Sequence, residues 1–200
     1  MRPVFRLKEG VSLVLASGSP RRREFVAGWG VPFTQRTADS EPRPEGGEAP
    51  LAYVVRSAEA KLAAAHPGSS ELVIAADTVV VHGGKILGKP KSDSEALAML
   101  QGLCGSEHHV ATGVALAFPD GTHKAFADSC AVRFAPWDEK SLRAYVATGE
   151  CRDKAGAYAI QGQGAFLVES ISGCWSTVVG LPIERVTRIF VTGGWLFPAV

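Results

Sequence analysis

Apolar positions follow two rhythms along the chain, short unbroken runs and steps of three or four residues. The run at 13–16 reads as a short buried strand, and Ser17-Gly18-Ser19 as the turn that ends it. A helix opens at Pro20 with Ser19 as its N-cap, because proline at the first helical position loses only an N–H that has no intrahelical partner. Gly30 and Pro32 close it, and the polar, proline-rich stretch 37–50 reads as a surface loop. Leu51, Val54, Ala58, Leu62 and Ala65 then recur at helical steps and make one face of an amphipathic helix, ended by His66-Pro67-Gly68. Residues 72–81 are nearly all apolar or β-branched, as in a central strand buried on both faces, and only Asp77-Thr78 interrupts them.

After a turn at Gly83-Gly84, Ser92 and Glu95 form a capping-box signature for a helix through Leu100. Strands at 110–118 and 124–134 are joined by Pro119-Asp120-Gly121, a hairpin turn sequence. A short helix at 138–147 stops at Gly149, a glycine-rich stretch leads to a strand at 166–171, and a last helix at 182–191 ends at Gly193-Gly194. Strands and helices interleave without a repeat or a linker, which predicts one α/β domain over residues 1–200.

Composition narrows the function classes. With 46% apolar residues the chain can build a core, and 21 basic against 20 acidic residues give a net charge of +1. Such a chain has no field to attract nucleic acid, so polyanion binding must come from a local cluster. Cys104, Cys130, Cys151 and Cys174 form no C-x-x-C pair and read as reduced core thiols. The apolar run 11–16 after Arg2, Arg6 and Lys8 is shorter than a signal h-region of about 7–15 residues. No stretch approaches the roughly 18 apolar residues of a membrane span. The expected setting is the cytoplasm, with neither membrane nor nucleic acid as partner.

Four constellations could carry chemistry. The turn Ser17-Gly18-Ser19 before a helix gathers backbone N–H groups where an anion is favoured, while Arg21, Arg22 and Arg23 sit at the wrong end of that helix unless a negative group binds there. The alternative has them solvated or paired with acids such as Glu24. Asp77, inside an apolar strand, requires a cation, a metal or several donors, as a general base or metal ligand would, unless it lies at the strand's exposed end or caps a neighbouring loop. Lys61 lies at the edge of the apolar helical sector and Arg56 on the opposite side, while Lys89 and Lys154 stand beside glycines. Each could be an ordinary solvated lysine, and together they could rim a polyphosphate site. Gln161, flanked by Gly162 and Gly164, could read a pyrimidine edge or simply belong to a β-bulge. His108 and His109 are adjacent, face opposite sides of a strand and read as structural.

Five blocks in order resemble the Maf family of nucleoside triphosphate pyrophosphatases. They are Leu15-Ala16-Ser17-Gly18-Ser19-Pro20-Arg21-Arg22, Ala76-Asp77-Thr78-Val79-Val80, Gly88-Lys89-Pro90, the run from Asp153 to Gly162, and Val179-Gly180-Leu181-Pro182. The resemblance implies a Maf/ITPase-like fold, a long curved mixed sheet with two lobes and a central cleft, in a homodimer. It implies cleavage of a nucleoside triphosphate between the α and β phosphates with a divalent metal, Mg²⁺, Mn²⁺ or Co²⁺. Asp77 matches the family's proton acceptor. Arg21, Thr78 and Gln161 match the set of the dTTP- and UTP-hydrolysing subfamily, where the 7-methyl-GTP subfamily carries Trp, Gln and Glu. The phosphates are then expected on the Ser17–Ser19 turn, Arg21, Arg22, Lys61, Lys89 and Lys154, and the metal on Asp77 and Glu41. Two departures stand out: Ser40-Glu41 replaces the usual acidic pair, and Cys151-Arg152 does not match. The rival function is a nucleotide-binding regulator of septum formation that needs no turnover.

Overall fold

The structure, a computed structural model, describes residues 2–37 and 42–200. In chain order the strands are β1 (Phe5–Leu7), β2 (Ser12–Ala16), β3 (Thr34–Gln35), β4 (Glu71–His82), β5 (Lys85–Leu87), β6 (Glu107–Ala117), β7 (His123–Phe134), β8 (Val168–Ser172) and β9 (Leu196–Pro198). The helices are α1 (Pro20–Ala27), α2 (Pro50–Ala64), α3 (Asp93–Leu103), α4 (Glu139–Ala147), α5 (Trp175–Val179) and α6 (Ile183–Thr192), with 3-10 turns at Ala155–Ala157 and Gln163–Leu167. The main sheet is mixed, in the order β3-β2-β4-β6-β7-β8 with β5 on β4. Strand β2 runs parallel to β3 and β4, while β5 pairs with β4 and β8 with β7 antiparallel. Strands β1 and β9 form a separate antiparallel pair, with Arg6 opposite Phe197.

The chain divides into two compact units. The first comprises the chain up to Asp77 with Thr112–Asp128 and Gly180–Val200; the second comprises Thr78–Ala111 and Ser129–Val179. Strands β4, β6 and β7 each contribute a part to both.

In the first unit the strand alternation sorts side chains by size. Leu13, Leu15, Leu72, Ile74, Val114 and Leu116 join Val26, Val186 and Phe190 in one cluster, whereas Val14, Ala16, Val73, Ala75, Ala115 and Ala117 join Ala58 and Leu62 of α2. Both faces are therefore buried, which explains the continuous apolar runs. The small-residue face lets α2 approach closely: a Cβ on Gly113 would lie 2.1 Å from the Val54 carbonyl oxygen. In the second unit Leu97, Leu100, Val132, Phe134, Leu142, Tyr145 and Leu167 form the core.

The main predicted elements are present with ends moved by a few residues. Ser92 Oγ accepts the Glu95 N–H at 3.2 Å, but the Glu95 carboxylate reaches one residue further back, to the Lys91 N–H at 2.7 Å. The strand expected at 166–171 starts at Val168, because Phe166 is taken into a 3-10 turn. His108 is buried and bonded through Nε2 to Tyr158 Oη at 2.8 Å, while His109 is exposed, so the two face opposite sides of β6 as expected. All four cysteines are free. Cys130 and Cys151 are buried and Cys104 half-buried, but Cys174 is exposed just before α5, which corrects its assignment to the core.

Candidate active site

In the first unit, the end of β2 runs into a turn held by bonds within itself and from Arg22 and Gln35. Ser19 occupies the N-cap of α1 in an extended conformation, yet its side chain makes no capping bond. Ser19 thus holds the expected cap position without a capping bond, and its own N–H donates to Ser17 Oγ at 3.2 Å, so the Ser19 amide is already satisfied. Gln35 Nε2 donates to the Ser17 carbonyl at 3.0 Å. The arginines do not act as one cluster. Arg22 is buried and extends inward, with Nε donating to the Gly180 carbonyl at 2.8 Å and Nη1 to the Ala76 carbonyl at 2.8 Å and Ser17 Oγ at 3.2 Å. It is thus a strut that ties the turn to β4 one residue before Asp77. Arg21 is half-buried and Arg23 exposed.

Asp77 has the cation that its burial demands. Lys61 Nζ lies 2.6 Å from Asp77 Oδ1, and the two side chains are only 12% and 14% exposed. The helical-wheel position of Lys61 anticipates this, since α2 lies on the small-residue face and the lysine stem can follow it to the strand. Arg56, on the other side of α2, is held by Glu48 at 2.6 Å, and that hydrogen bond pulls the Glu48 carboxyl down to about 2. Arg56 therefore anchors the loop before α2. Glu41 lies outside the described residues.

In the second unit, Thr78, Lys89 and Lys154 come from three segments that one small residue joins. The Gly156 N–H donates to the Gly88 carbonyl at 3.0 Å, beside Lys89. Gly156 has φ +66°, and a Cβ there would come within 2.8–3.0 Å of the Val80 side chain, two residues beyond Thr78. Lys154 is 13% exposed and pairs with Asp153, and Lys89 is exposed. Gln161 is half-buried in the loop that follows. A hollow of about 410 Å³ is lined by Ser141, Ala144, Tyr145, Thr148, Gln163 and Phe166, so of the glutamine-glycine stretch singled out from the sequence it takes Gln163 and not Gln161.

Among the described residues no group of three or more His, Cys, Asp or Glu side chains could hold a metal ion. The oxygen chemistry of Asp77 suits a hard divalent ion that takes its other ligands from phosphate and water, not a closed protein cage.

Comparison with known proteins shows what the chain is similar to. A family model described as Maf-like protein matches residues 12–192. A dTTP/UTP pyrophosphatase of Nitratidesulfovibrio vulgaris is 50% identical over 188 residues, covering 91% of this chain and 88% of that protein. One of Oleidesulfovibrio alaskensis, also a dTTP/UTP pyrophosphatase, is 46% identical over 191 residues, covering 94% and 87%. Among solved structures, the Ham1 protein of Staphylococcus aureus shares the fold with a TM-score of 0.51 at 14% identity, over 91% of this chain and 98% of that one.

Proposed function

The chain belongs to the Maf family, and from that premise we propose that it is a nucleoside triphosphate pyrophosphatase hydrolysing dTTP and UTP to the monophosphate and pyrophosphate. The observation that carries this is the Lys61–Asp77 pair, 2.6 Å apart, with Asp77 on a strand that Arg22 ties to the Ser17 turn. A carboxylate shielded from water and held by one cation is a positioned base, and the neighbouring turn and arginine suit an anion.

Asp77 orients a water and accepts its proton as the water oxygen attacks a phosphorus of the α–β anhydride; the P–O bond breaks and pyrophosphate leaves. The Ser17–Ser19 turn, through the Ser19 hydroxyl that makes no capping bond, and the Arg21 guanidinium hold phosphate oxygens, and Arg22 acts on them by fixing the turn. Lys61, Lys89 and Lys154 neutralise the charge that develops. Gln161, with Thr78 and Arg21, reads the pyrimidine. Asp77 with Glu41 would hold a divalent cation, Mg²⁺, Mn²⁺ or Co²⁺, which when bound neutralises phosphate charge.

The proposal extends to a homodimer in the cytoplasm that binds neither nucleic acid nor membrane. The net charge of +1 supports the absence of nucleic-acid binding, and no helix among the described residues is long and apolar enough to cross a membrane. Pyrophosphate release from a panel of triphosphates, at protein concentrations far below substrate and with each metal, tests the activity. Many turnovers on dTTP and UTP are expected; nucleotide affinity without product would identify a binding regulator instead.

A further inference from the structure

We propose that Glu150 is the positioning residue of the loop that carries Gln161 and thereby sets the preference for pyrimidines. This rests on Gln161 being the base reader. The loop is fastened on both sides of that residue. Before it, the Ala159 N–H donates to Tyr145 Oη at 3.2 Å. After it, Glu150 Oε1 accepts the Gln163 N–H at 2.9 Å and Oε2 the Gly164 N–H at 2.8 Å, so one carboxylate clamps two successive amides.

The glycines are the complement of this clamp. Gly162 adopts φ +88°, and a Cβ there would lie 2.3 Å from Glu150 Oε1. At Gly164 a Cβ would lie 2.5 Å from the Ala159 carbonyl oxygen and 2.7 Å from Tyr145 Oη. Both positions must be bare for the carboxylate and the phenol to reach the backbone. Glu150 itself is aimed by the turn after α4, where Gly149 has φ +77° and the Glu150 N–H donates to Thr148 Oγ1 at 3.2 Å. The neighbouring Arg152 goes to Asp93 instead, and among the described residues Glu150 takes part in no ion pair. Its carboxylate serves the loop backbone, and a side-chain amide placed between two such fastenings meets a base edge in one orientation.

The test measures kcat and KM for dTTP, UTP and GTP with the full-length protein, its Glu150→Gln and Gln161→Ala variants, and the double variant. Glutamine keeps one acceptor and sets an N–H₂ against the second amide. The pyrimidine-to-purine ratio of kcat/KM is expected to fall about tenfold in Glu150→Gln, through KM for dTTP and with kcat held within about threefold. The same substitution should cause no further loss in the Gln161→Ala background. An unchanged ratio in Glu150→Gln beside a lowered ratio in Gln161→Ala overturns the positioning role alone. An unchanged ratio in Gln161→Ala overturns the base-reading role and this proposal with it. If Glu150→Gln does not fold, Gly162→Ala, which drives a methyl into the clamp, should give the same loss of ratio, and equal losses on all three nucleotides would refute the proposal.

Discussion

Replacing Lys61 by methionine keeps an apolar stem on α2 but leaves Asp77 without its cation. Breaking a buried ion pair from one side costs about 3–5 kcal/mol, because the remaining charge is desolvated and uncompensated. With Asp77 14% exposed, some solvent reaches the carboxylate and the low end applies, about 3 kcal/mol. For a chain of 200 residues, where 1 kcal/mol moves Tm by about 2–4 °C, that is a fall of about 6–12 °C. Asp77→Asn keeps an acceptor for Lys61 and should cost only about 1 kcal/mol. The double variant has neither charge left to strand, so its loss should be about 2 kcal/mol where simple addition gives about 4, a coupling of about 2 kcal/mol. Urea unfolding of the wild type and the three variants measures this cycle. Losses that add to within about 0.5 kcal/mol would refute the buried pair.

Burial, with the nearby His82 and His109, lowers the His108 imidazole from 6.5 to about 4. The unfolded chain therefore takes up this proton first, so the contribution is whole above about 6.5 and is lost as pH falls toward about 4, some 3 kcal/mol in all. The urea midpoint, compared with that of His108→Phe over this range, should show the extra acid sensitivity, and equal slopes would contradict it. Gly156→Ala forces a left-handed φ of +66° on alanine and a methyl into Val80. It should cost about 2 kcal/mol by thermal melting and raise KM for dTTP, whereas an unchanged Tm would show that the segment yields freely.

What could be read from the sequence follows from the range of the interactions involved. Asp77 was legible because a carboxylate inside an apolar strand must find a partner, and Lys61 because its wheel position sends its head to the edge of α2. The α/β order was legible because β4, β6, β7 and the long helices carry enough residues to show a period. Strands β1, β3, β5 and β9 have two or three residues each and show none, and α5 has only five. They form because a neighbouring segment offers backbone partners, as β9 does to β1. The sequence places Ser19 at the N-cap but does not show that its side chain makes no capping bond, nor that the Ser17 hydroxyl takes the Ser19 amide and is itself held by Arg22. Arg22 reads as one of three equivalent arginines until the fold shows Gly180 and Ala76 as its acceptors, residues remote in sequence. Glu150 has no task legible in the sequence, since its partners lie 13 and 14 residues away in an irregular loop. The specificity set Arg21, Thr78 and Gln161 came from the family resemblance, because no general rule distinguishes a base-reading glutamine from a structural one.

The most direct test of the central claim is pyrophosphate release from dTTP by Asp77→Asn with the divalent metal present, measured together with nucleotide affinity below the melting transition. Turnover should fall at least about a hundredfold while Kd stays within a few-fold of wild type, as befits a residue that acts on the water more than on binding. Wild-type turnover in that variant would contradict the role of Asp77 and the hydrolytic mechanism built on it.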